Sequence, residues 1–262
     1  MDSISEKYAD FFSINEELRA LIERFFEHHP PPQDLCEGYV LFAIGKAYKT
    51  HAAILLLCRE GYGEDAAILS RSLFELSITA KYISDDSTGA RAKKFVDFDW
   101  VIRARRYEYS LTNAEMTKEF EKRIAADPQT SEKIATILRE AKKVKEGYTE
   151  QELRKGWAGK SIKEIADAAG RTDIYKTVYS LQCDLSHSAV SVSNDYLREA
   201  GETLSMEIAP SDNWIERALV ISIQHLVDLI EVWSAIFAFD VEESLKGITQ
   251  RYAEAVKATK RG

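Results

Sequence analysis

The segment YSLQCDLSHSAVSVSNDY, residues 179–196, places a histidine among serines in a stretch whose apolar residues have helical spacing. The imidazole of His187 is the side-chain type that changes charge near neutral pH, so it could act as a general acid or base. A histidine beside serines is equally typical of a hydrogen-bonded core residue. Ser186 is a weaker candidate for a nucleophile, because no Gly-x-Ser-x-Gly turn surrounds it. The pattern leaves a catalytic and a structural interpretation open.

A second chemical pattern is the pair Arg71 and Glu75 in ILSRSLFELSITAKY. Residues four apart share one face of a helix. The same face carries Ile68, Ile78 and Tyr82. Removing a buried ion pair from water costs about as much as the attraction returns. The pair therefore predicts either a salt bridge that fixes helix register or a guanidinium held ready for an anion.

Two carboxylate and imidazole pairs at three-residue spacing raise the alternative of a metal site in a helical bundle. These are Asp184 with His187, and His225 with Asp228, to which Glu75 could add a bridge. Neither pair has the Glu-x-x-His order of bundle metal sites, and Glu75 would have to leave its arginine. We therefore expect no metal ligands and no cofactor.

The elements that must position these residues are helices, because apolar residues recur at three- and four-residue steps and strict alternation is nearly absent. The predicted fold class is all-α, a multi-helix bundle with at most one short β-hairpin within 201–212. We expect one domain over 1–262, in which the charge-rich helices of 90–146 form an arm or lid on either side of Asp127-Pro128. The other predicted helices cover 3–29, 34–60, 63–84, 161–170, the segment from 172 through His187, 214–239 and 241 onward.

Polar residues predict where several of these helices begin. The predicted caps are Asp34, Ser161 with Glu164 as a capping box, Thr172 or Asp173, and Ser211 or Asp212.

Composition and net charge limit the classes of function that the chain can have. The chain has 262 residues, is 45% hydrophobic and carries a formal net charge of −8. It can bury one large core. The acidic balance argues against a protein that mainly wraps nucleic acid, although local basic stretches could still bind phosphates.

The cysteines and the apolar stretches indicate a cytoplasmic protein. Cys36, Cys58 and Cys183 lie far apart without zinc-type spacing, which suits a reducing compartment. The N-terminal MDSISEKYADFF lacks the pattern of a signal peptide. Charged residues interrupt the most apolar stretch, 214–239, so we expect a bundle helix there and no membrane association.

The sequence also resembles a known family. AAILSRSLFELSITAKYI and GWAGKSIKEIADAAGRTDIYKTVYSLQCDLSHSAV are similar to a bacterial family of unknown function, DUF5677. Its marks are an Arg-x-x-x-Glu helix, a Trp-Gly-like turn and a Tyr-x6-Ser-His-like segment. In this sequence they fall on Arg71 and Glu75, on Trp157 and Gly159, and on Tyr179, Ser186 and His187. The resemblance covers about two thirds of the chain, without the first helix and the tail, and implies no established activity.

A looser resemblance links the Arg/Glu helix and later histidine to HEPN domains (higher eukaryote and prokaryote nucleotide-binding), which include metal-independent ribonucleases of toxin and phage-defence systems. Their signature has a histidine four to six residues after an arginine, and no arginine precedes His187 at that distance. Arg24 and His29 match it literally, but Phe25 stands where a polar residue is expected. We treat that match as chance.

Two functions from different classes follow. The first is a binding module around a polar centre of Arg71, Glu75 and His187, which recognises an anionic small molecule or RNA or stabilises a fold that binds a partner, in stress or phage defence. Tyr179, Ser186 and Trp157 would contact the ligand. An isologous homodimer is also expected, because aromatic-rich bundles commonly pair, and the long charged helices could mediate it.

The alternative is a HEPN-like ribonuclease. His187 would withdraw the 2′-hydroxyl proton, Arg71 would stabilise the phosphorane and Glu75 would orient Arg71. The basic residues expected beside such a cleft are Arg139, Lys142, Lys143 and Lys145.

Overall fold

The computed structural model describes residues 4–187, 189–200, 203–206 and 208–259. The first helices are α1 (Ile4–Lys7), α2 (Ala9–Phe26), α3 (Leu35–Arg59), α4 (Gly63–Ser84), α5 (Ala90–Ser110), α6 (Ala114–Ala126) and α7 (Pro128–Lys145). They are followed by α8 (Glu150–Lys155), α9 (Ile162–Ala168), α10 (Thr172–Ile174), a π-helical turn (Tyr175–Tyr179), α11 (Ser180–Ser186) and a 3₁₀ turn (Val190–Asp195). The chain continues through β1 (Leu197–Ala200), β2 (Thr203–Met206), α12 (Ile215–Phe237) and α13 (Glu242–Thr259). The predicted all-α class is confirmed.

The chain divides into two compact units. The first contains Met1–Asp85 and Ala166–Gly262, and the second contains Asp86–Ile165. The segment predicted as an arm or lid, 90–146, belongs to the second unit. Its role as an arm or lid, and the single domain over 1–262, stay predictions.

The core of the first unit is built on α4, which packs against α3 and α12. Their large buried side chains include Ile44, Phe74, Leu219 and Trp233. Helix α2 joins this core by packing on α12. Helices α4 and α12 bury more than one face, which accounts for the long apolar runs in their sequences, whereas α3 buries a single stripe of residues three to four positions apart.

Two glycines shape the tight connection from α3 to α4. Gly61 has φ +85°, a conformation that favours glycine, and its carbonyl accepts a 3.0 Å hydrogen bond from the Ser211 N–H. A Cβ at Gly63 would lie 2.2 Å from the carbonyl oxygen of Asn213. The segment before α12 therefore packs directly on the start of α4.

The second unit is a helical pair, α5 with α7, closed by the segment after α7. Tyr148 packs edge-on against Phe98, and its hydroxyl donates a 2.6 Å hydrogen bond to the carbonyl of Trp157. The two predicted charged helices correspond to α5 and α7. Between them lies α6, which the sequence interpretation did not separate. Asp127 caps α7, with Pro128 in its first turn.

Several predicted caps are confirmed. The Asp34 carboxylate accepts the Glu37 N–H at 2.8 Å at the start of α3. Ser161 and Glu164 form the reciprocal bonds of a capping box before α9.

Two predicted caps are wrong. Residue Arg171, not Thr172 or Asp173, precedes α10, and the Thr172 hydroxyl donates instead to Asp167. Trp214, with φ +67°, precedes α12 without a side-chain cap, because Asp212 is held in a salt bridge by Lys7. At each of these two starts, one predicted capping residue is instead bound by a side chain of another helix, Thr172 by Asp167 and Asp212 by Lys7.

The predicted hairpin forms between β1 and β2, which pair antiparallel with Leu197 opposite Met206. The hairpin begins before the predicted segment 201–212. Residues 201 and 202, which connect the two strands, lie outside the described residues.

Helices α3 and α12 are long and apolar enough to cross a membrane by length and composition alone. Most of α12 is buried within its unit, which is also typical of a core helix. The expected absence of a membrane stays a prediction, as does the cytoplasmic location.

A buried polar network joins three helices of the first unit. The His51 Nε2 lies 2.7 Å from the Asn15 Oδ1, which also accepts the Ser222 hydroxyl at 3.3 Å. Asn15 in turn donates to the carbonyl of Phe11 at 2.7 Å. Burial, followed by the positive charge of Arg19, lowers the pKa of His51 to about 3. The network therefore holds a neutral imidazole.

Candidate functional site

The centre of the site is the guanidinium of Arg71 on α4. Its Nε donates to the Glu75 Oε1 at 3.1 Å, one helical turn further on. The Arg71 side chain is 27% exposed and that of Glu75 is 39% exposed. The predicted pair thus forms, and it lies at the edge of the core with access to solvent.

Two side chains from the segment after α10 complete the arrangement. The Tyr179 hydroxyl accepts from Nη2 of Arg71 at 2.9 Å and donates to the Glu75 Oε1 at 2.9 Å. The Ser186 hydroxyl accepts from Nη1 of Arg71 at 3.1 Å and donates to the carbonyl of Cys183. We call these four residues, Arg71, Glu75, Tyr179 and Ser186, the Arg71 cluster.

Aromatic packing fixes the Tyr179 ring. It packs against Phe74 with centroids 5.2 Å apart, and Tyr175 stacks on it at 5.1 Å. The Arg71 guanidinium carbon lies 4.8 Å from the centroid of the same ring, a cation–π distance. The ring therefore supports the guanidinium through its face as well as through its hydroxyl.

The pKa values of Tyr179 and Arg71 are both shifted in the cluster. Burial, together with the hydrogen bond to Glu75, raises the pKa of the Tyr179 hydroxyl. The pKa of Arg71 is also raised. Burial alone would lower it, but the hydrogen bond to Tyr179 and the neighbouring charges outweigh burial. Near neutral pH the tyrosine is a proton donor and the arginine a cation.

A buried contact holds α11 against α4. The Gln182 Nε2 donates to the Ser70 hydroxyl at 2.5 Å, and that hydroxyl donates to the carbonyl of Ala67. Both side chains are buried. Because Ser70 precedes Arg71, this bond sets the position of α11 beside the guanidinium. The sequence interpretation did not single out Gln182.

The structure places His187 at the end of α11, exposed to solvent. The predicted helix through His187 continues no further, since the Ala189 N–H bonds back to the carbonyl of Asp184 at 2.9 Å and closes α11. The helical spacing of apolar residues continues beyond His187 in the sequence, but the backbone does not follow it. Ser188 lies outside the described residues.

Arg71, Glu75, Tyr179 and Ser186 are thus brought together. His187 directly follows Ser186 in the chain, but within the described residues its ring makes no hydrogen bond to the cluster. Its assignment as a catalytic residue stays a prediction.

Trp157 belongs to the second unit. Its ring packs edge-on against Phe95 at 5.2 Å, and its carbonyl is bonded to Tyr148. The basic residues predicted beside a cleft lie on α7 in the same unit, where several pair with carboxylates. Arg139 and Lys143 pair with Glu140, and Lys145 pairs with Glu108.

Two of the residues considered for a metal site, Asp228 and His225, are held by other contacts. Arg171 holds Asp228 through two hydrogen bonds of 2.9 and 3.0 Å, and Gln224 adds a third. His225 is buried against Phe74, with ring centroids 5.3 Å apart. Among the residues that the structure describes, no group of three or more His, Cys, Asp or Glu side chains could hold a metal ion.

The sequence interpretation missed Arg171. Its partner Asp228 lies 57 positions away on another helix, so no local spacing marks the pair. Both residues line a cavity of about 260 Å³ together with Ile78, Lys81 and Glu231. The hydrogen bond to Asp228 is the main cause that raises the pKa of Arg171. Since Lys81 pairs with Asp85, both cations of this cavity already have carboxylate partners.

The fold and site together define an all-α protein with an arginine-centred polar cluster at the edge of its core. The chain belongs to DUF5677, a family of unknown function, whose profile matches residues 37–203. The match confirms the resemblance and its extent. It spans the whole Arg71 cluster, His187 and Trp157, whereas Asp228 lies outside it. No curated protein and no solved structure matched the chain.

Proposed function

We propose that the protein is a binding module for a small anion, a carboxylate or a phosphate group, which it holds at Arg71. The single observation that carries this proposal is the state of the guanidinium. An arginine has five N–H donors, and three of those of Arg71 are taken by Glu75, Ser186 and Tyr179. One N–H remains on each terminal nitrogen, with no partner within the described residues.

Two N–H groups on the terminal nitrogens are what a bidentate pair with a carboxylate or phosphate requires. Glu75 and Tyr179 restrict the rotation of the side chain before the ligand arrives, which lowers the entropy that binding would cost. The 27% exposure of the Arg71 side chain leaves access from solvent. The cluster is thus arranged in advance for an anion.

A small anion fits the surroundings better than a long polyanion. The Glu75 carboxylate shares the site, and the whole chain carries a net charge of −8. A polyanion would meet these negative charges along its length, whereas one carboxylate or phosphate has to meet only the guanidinium. We infer that the ligand carries few charges.

Isothermal titration calorimetry with phosphate, sulfate, acetate, succinate and citrate tests the proposal. At least one anion should bind the wild type. Arg71→Lys keeps the charge but loses the planar fork, so it should weaken that binding at least about tenfold, a loss of about 1.4 kcal/mol. Arg103→Lys on exposed α5 is the matched control and should bind as the wild type does.

Two outcomes would remove the proposal. One is that no anion of the panel binds the wild type. The other is that Arg71→Lys binds with wild-type affinity while the far-ultraviolet circular dichroism of both proteins shows the same fold.

A HEPN-like ribonuclease is the second candidate, favoured by the exposure of His187 directly after Ser186, the hydroxyl that Arg71 binds. In a ribonuclease, the exposed imidazole of His187 would be a general base that RNA can reach. Labelled RNA incubated in chelator should then be cleaved by the wild type and not by His187→Ala. Equal cleavage by both proteins, or none by the wild type, would eliminate this candidate.

A further inference from the structure

We propose that the cavity between α4, α12 and segment 169–171 binds a small organic amine as its ammonium ion, which pairs with the carboxylate of Glu231. The cavity has a volume of about 260 Å³. At about 30 Å³ per water molecule it has room for about nine waters, so its ligand is a compound of the size of a short alkylamine or an amino acid. The site lies in the first unit and shares no residue with the Arg71 cluster.

The charged side chains that line the cavity leave one carboxylate unpaired. Arg171 donates two hydrogen bonds to Asp228, and Lys81 forms a salt bridge with Asp85. Glu231 lines the same cavity, and its carboxylate has no hydrogen-bond or ion-pair partner among the residues that the structure describes. A ligand with one positive charge would therefore complete the pairing.

The surroundings of Glu231 are short of positive charge. Burial, and after it the neighbouring charge of Asp228, raises the pKa of the Glu231 carboxyl. The positive charge of Arg171 opposes this shift but does not cancel it, because Asp228 already holds that guanidinium. A bound ammonium ion would supply a counter-charge that belongs to Glu231 alone.

The uncharged polar side chains of the cavity are acceptors. The Ser77 hydroxyl donates to the carbonyl of Phe74 at 2.9 Å, and the Ser84 hydroxyl donates to the carbonyl of Lys81 at 3.0 Å. A hydroxyl has one hydrogen, so each of these oxygens can only accept from a ligand. An ammonium group has three N–H donors and no acceptor, which suits this lining better than an anion does.

The apolar part of the lining favours an organic ammonium ion over a metal ion. Ile78 and Val232 are buried at the cavity, and Ile236 also lines it. Hard metal ions need several oxygen ligands, and among the described residues no three carboxylates are grouped so as to hold one. The ligand therefore carries its ammonium group on a short aliphatic chain, which these side chains can cover.

Isothermal titration calorimetry of the full chain near neutral pH, with n-butylamine, putrescine and leucine, tests the site. At least one of these amines should bind the wild type saturably, whereas n-butanol, the neutral analogue of n-butylamine, should not bind. Glu231→Gln keeps the shape of the side chain and removes its charge. It should weaken amine binding at least about tenfold, because a hydrogen bond to a charged group is lost.

Glu60→Gln is the matched control for the charge. Glu60 is also exposed, but it precedes the start of α4, whereas the cavity lies at the other end of that helix. Glu60→Gln should therefore bind the amine as the wild type does.

Ala235→Phe provides a test that does not depend on charge. Ala235 lines the cavity and is exposed, so the added ring should occupy the space of the ligand and leave the core intact. Amine binding should fall at least about tenfold, while far-ultraviolet circular dichroism should show the wild-type fold.

The order of affinities identifies the source of the ammonium group. Leucine adds a carboxylate, for which Arg171 has N–H groups left after its two bonds to Asp228. Tighter binding of leucine would identify an amino acid as the ligand, and tighter binding of n-butylamine or putrescine would identify a simple amine. Either order supports an ammonium site.

Four results would overturn the proposal. These are saturable binding of none of the three amines, binding of n-butanol as tight as that of n-butylamine, wild-type affinity in a folded Glu231→Gln or Ala235→Phe variant, and an equal loss of affinity in Glu60→Gln and Glu231→Gln. Anion binding at Arg71 is measured with other ligands, so either site can fail without the other.

Discussion

At the residue scale, Tyr179 is the side chain that makes the cluster a unit, because one hydroxyl accepts from Arg71 and donates to Glu75. The four-residue spacing of Arg71 and Glu75 was enough to predict their salt bridge. The place of Tyr179 and Ser186 in one site with Arg71 followed only from the family resemblance, since no spacing rule joins residues more than a hundred positions apart. Arg171 was missed because its partner Asp228 lies 57 positions away, which is also beyond any local spacing rule.

Tyr179→Phe tests the role of that hydroxyl. It removes one acceptor from Arg71 and one donor from Glu75 while the ring stays in place. We expect a loss of about 1 kcal/mol in the free energy of unfolding, because hydrogen bonds to charged groups contribute about 1.5–3 kcal/mol when fully buried and this cluster is partly exposed. Urea denaturation followed by circular dichroism measures it.

Tyr175→Phe is the matched control. Tyr175 stacks on Tyr179, but its hydroxyl makes no hydrogen bond within the described residues, so the free energy of unfolding should stay unchanged. A loss equal to that of Tyr179→Phe would show that the bridging hydroxyl has no special role.

Buried histidine makes stability depend on pH. Burial, the largest cause, lowers the pKa of His225 to about 4, with Asp228 opposing and Arg171 adding to the shift. A folded-state pKa below the ordinary value of about 6.5 means that the unfolded chain binds the proton better. The contribution of the neutral His225 to the free energy of unfolding is therefore fully present above about pH 6.5, and it is lost as the pH falls towards 4.

The substitution His225→Phe should remove part of the stability that the wild type loses at low pH. Between pH 7 and pH 5 the wild type should lose about 2 kcal/mol more than the variant, at about 1.4 kcal/mol per pH unit below 6.5. Urea denaturation at both pH values provides the comparison. His28→Phe, at an exposed histidine, should behave as the wild type; an unchanged pH dependence in His225→Phe would contradict the assignment.

At the element scale, helix existence was predictable and helix ends were less so. Apolar spacing identified α3, α4 and α12, and Asp34 marked the start of α3. The end of α11 was not predictable, because the sequence around His187 continues with helical apolar spacing while the backbone leaves the helix at Ala189. The caps of α10 and α12 failed because Asp167 and Lys7 bind the predicted capping residues.

Gly63 connects two elements of the core. A Cβ there would lie 2.2 Å from the Asn213 carbonyl and 2.6 Å from the Ile215 nitrogen, which are backbone atoms. Gly63→Ala should therefore lower the free energy of unfolding by about 2 kcal/mol or more, as overpacking does.

Gly247→Ala on α13 is the control for this change. Nothing lies within 4 Å of its added methyl group, and alanine favours the helix by up to about 1 kcal/mol. Differential scanning calorimetry should show a lower Tm for Gly63→Ala and an equal or higher Tm for Gly247→Ala. A wild-type Tm for Gly63→Ala would contradict the close packing of the segment before α12.

At the scale of the whole molecule, length and hydrophobic content predicted a folded protein with a large core, the spacing of apolar residues predicted the all-α class, and that class is confirmed. The division into two units was not predicted, because no linker composition marks residues 85 or 165. Net charge was the most useful global quantity, since −8 argues against a polyanion as the ligand.

Heparin chromatography tests that global argument. At physiological salt the surface potential of an acidic protein is screened beyond about 8 Å, so only a strong local basic surface could retain it. We expect the protein to elute in the flow-through. Retention that is abolished by Arg139→Glu would instead favour a nucleic-acid ligand on α7.

The central claim is that an anion binds the two remaining N–H groups of Arg71. Nuclear magnetic resonance of the arginine side-chain Nε–H signals, during titration with phosphate and citrate, observes the guanidinium group that carries these two N–H groups. The account predicts that the Arg71 Nε–H signal, assigned by its loss in Arg71→Lys, shifts saturably while the signal of exposed Arg103 does not. No shift of the Arg71 signal, or equal unsaturated shifts of both signals, would contradict it.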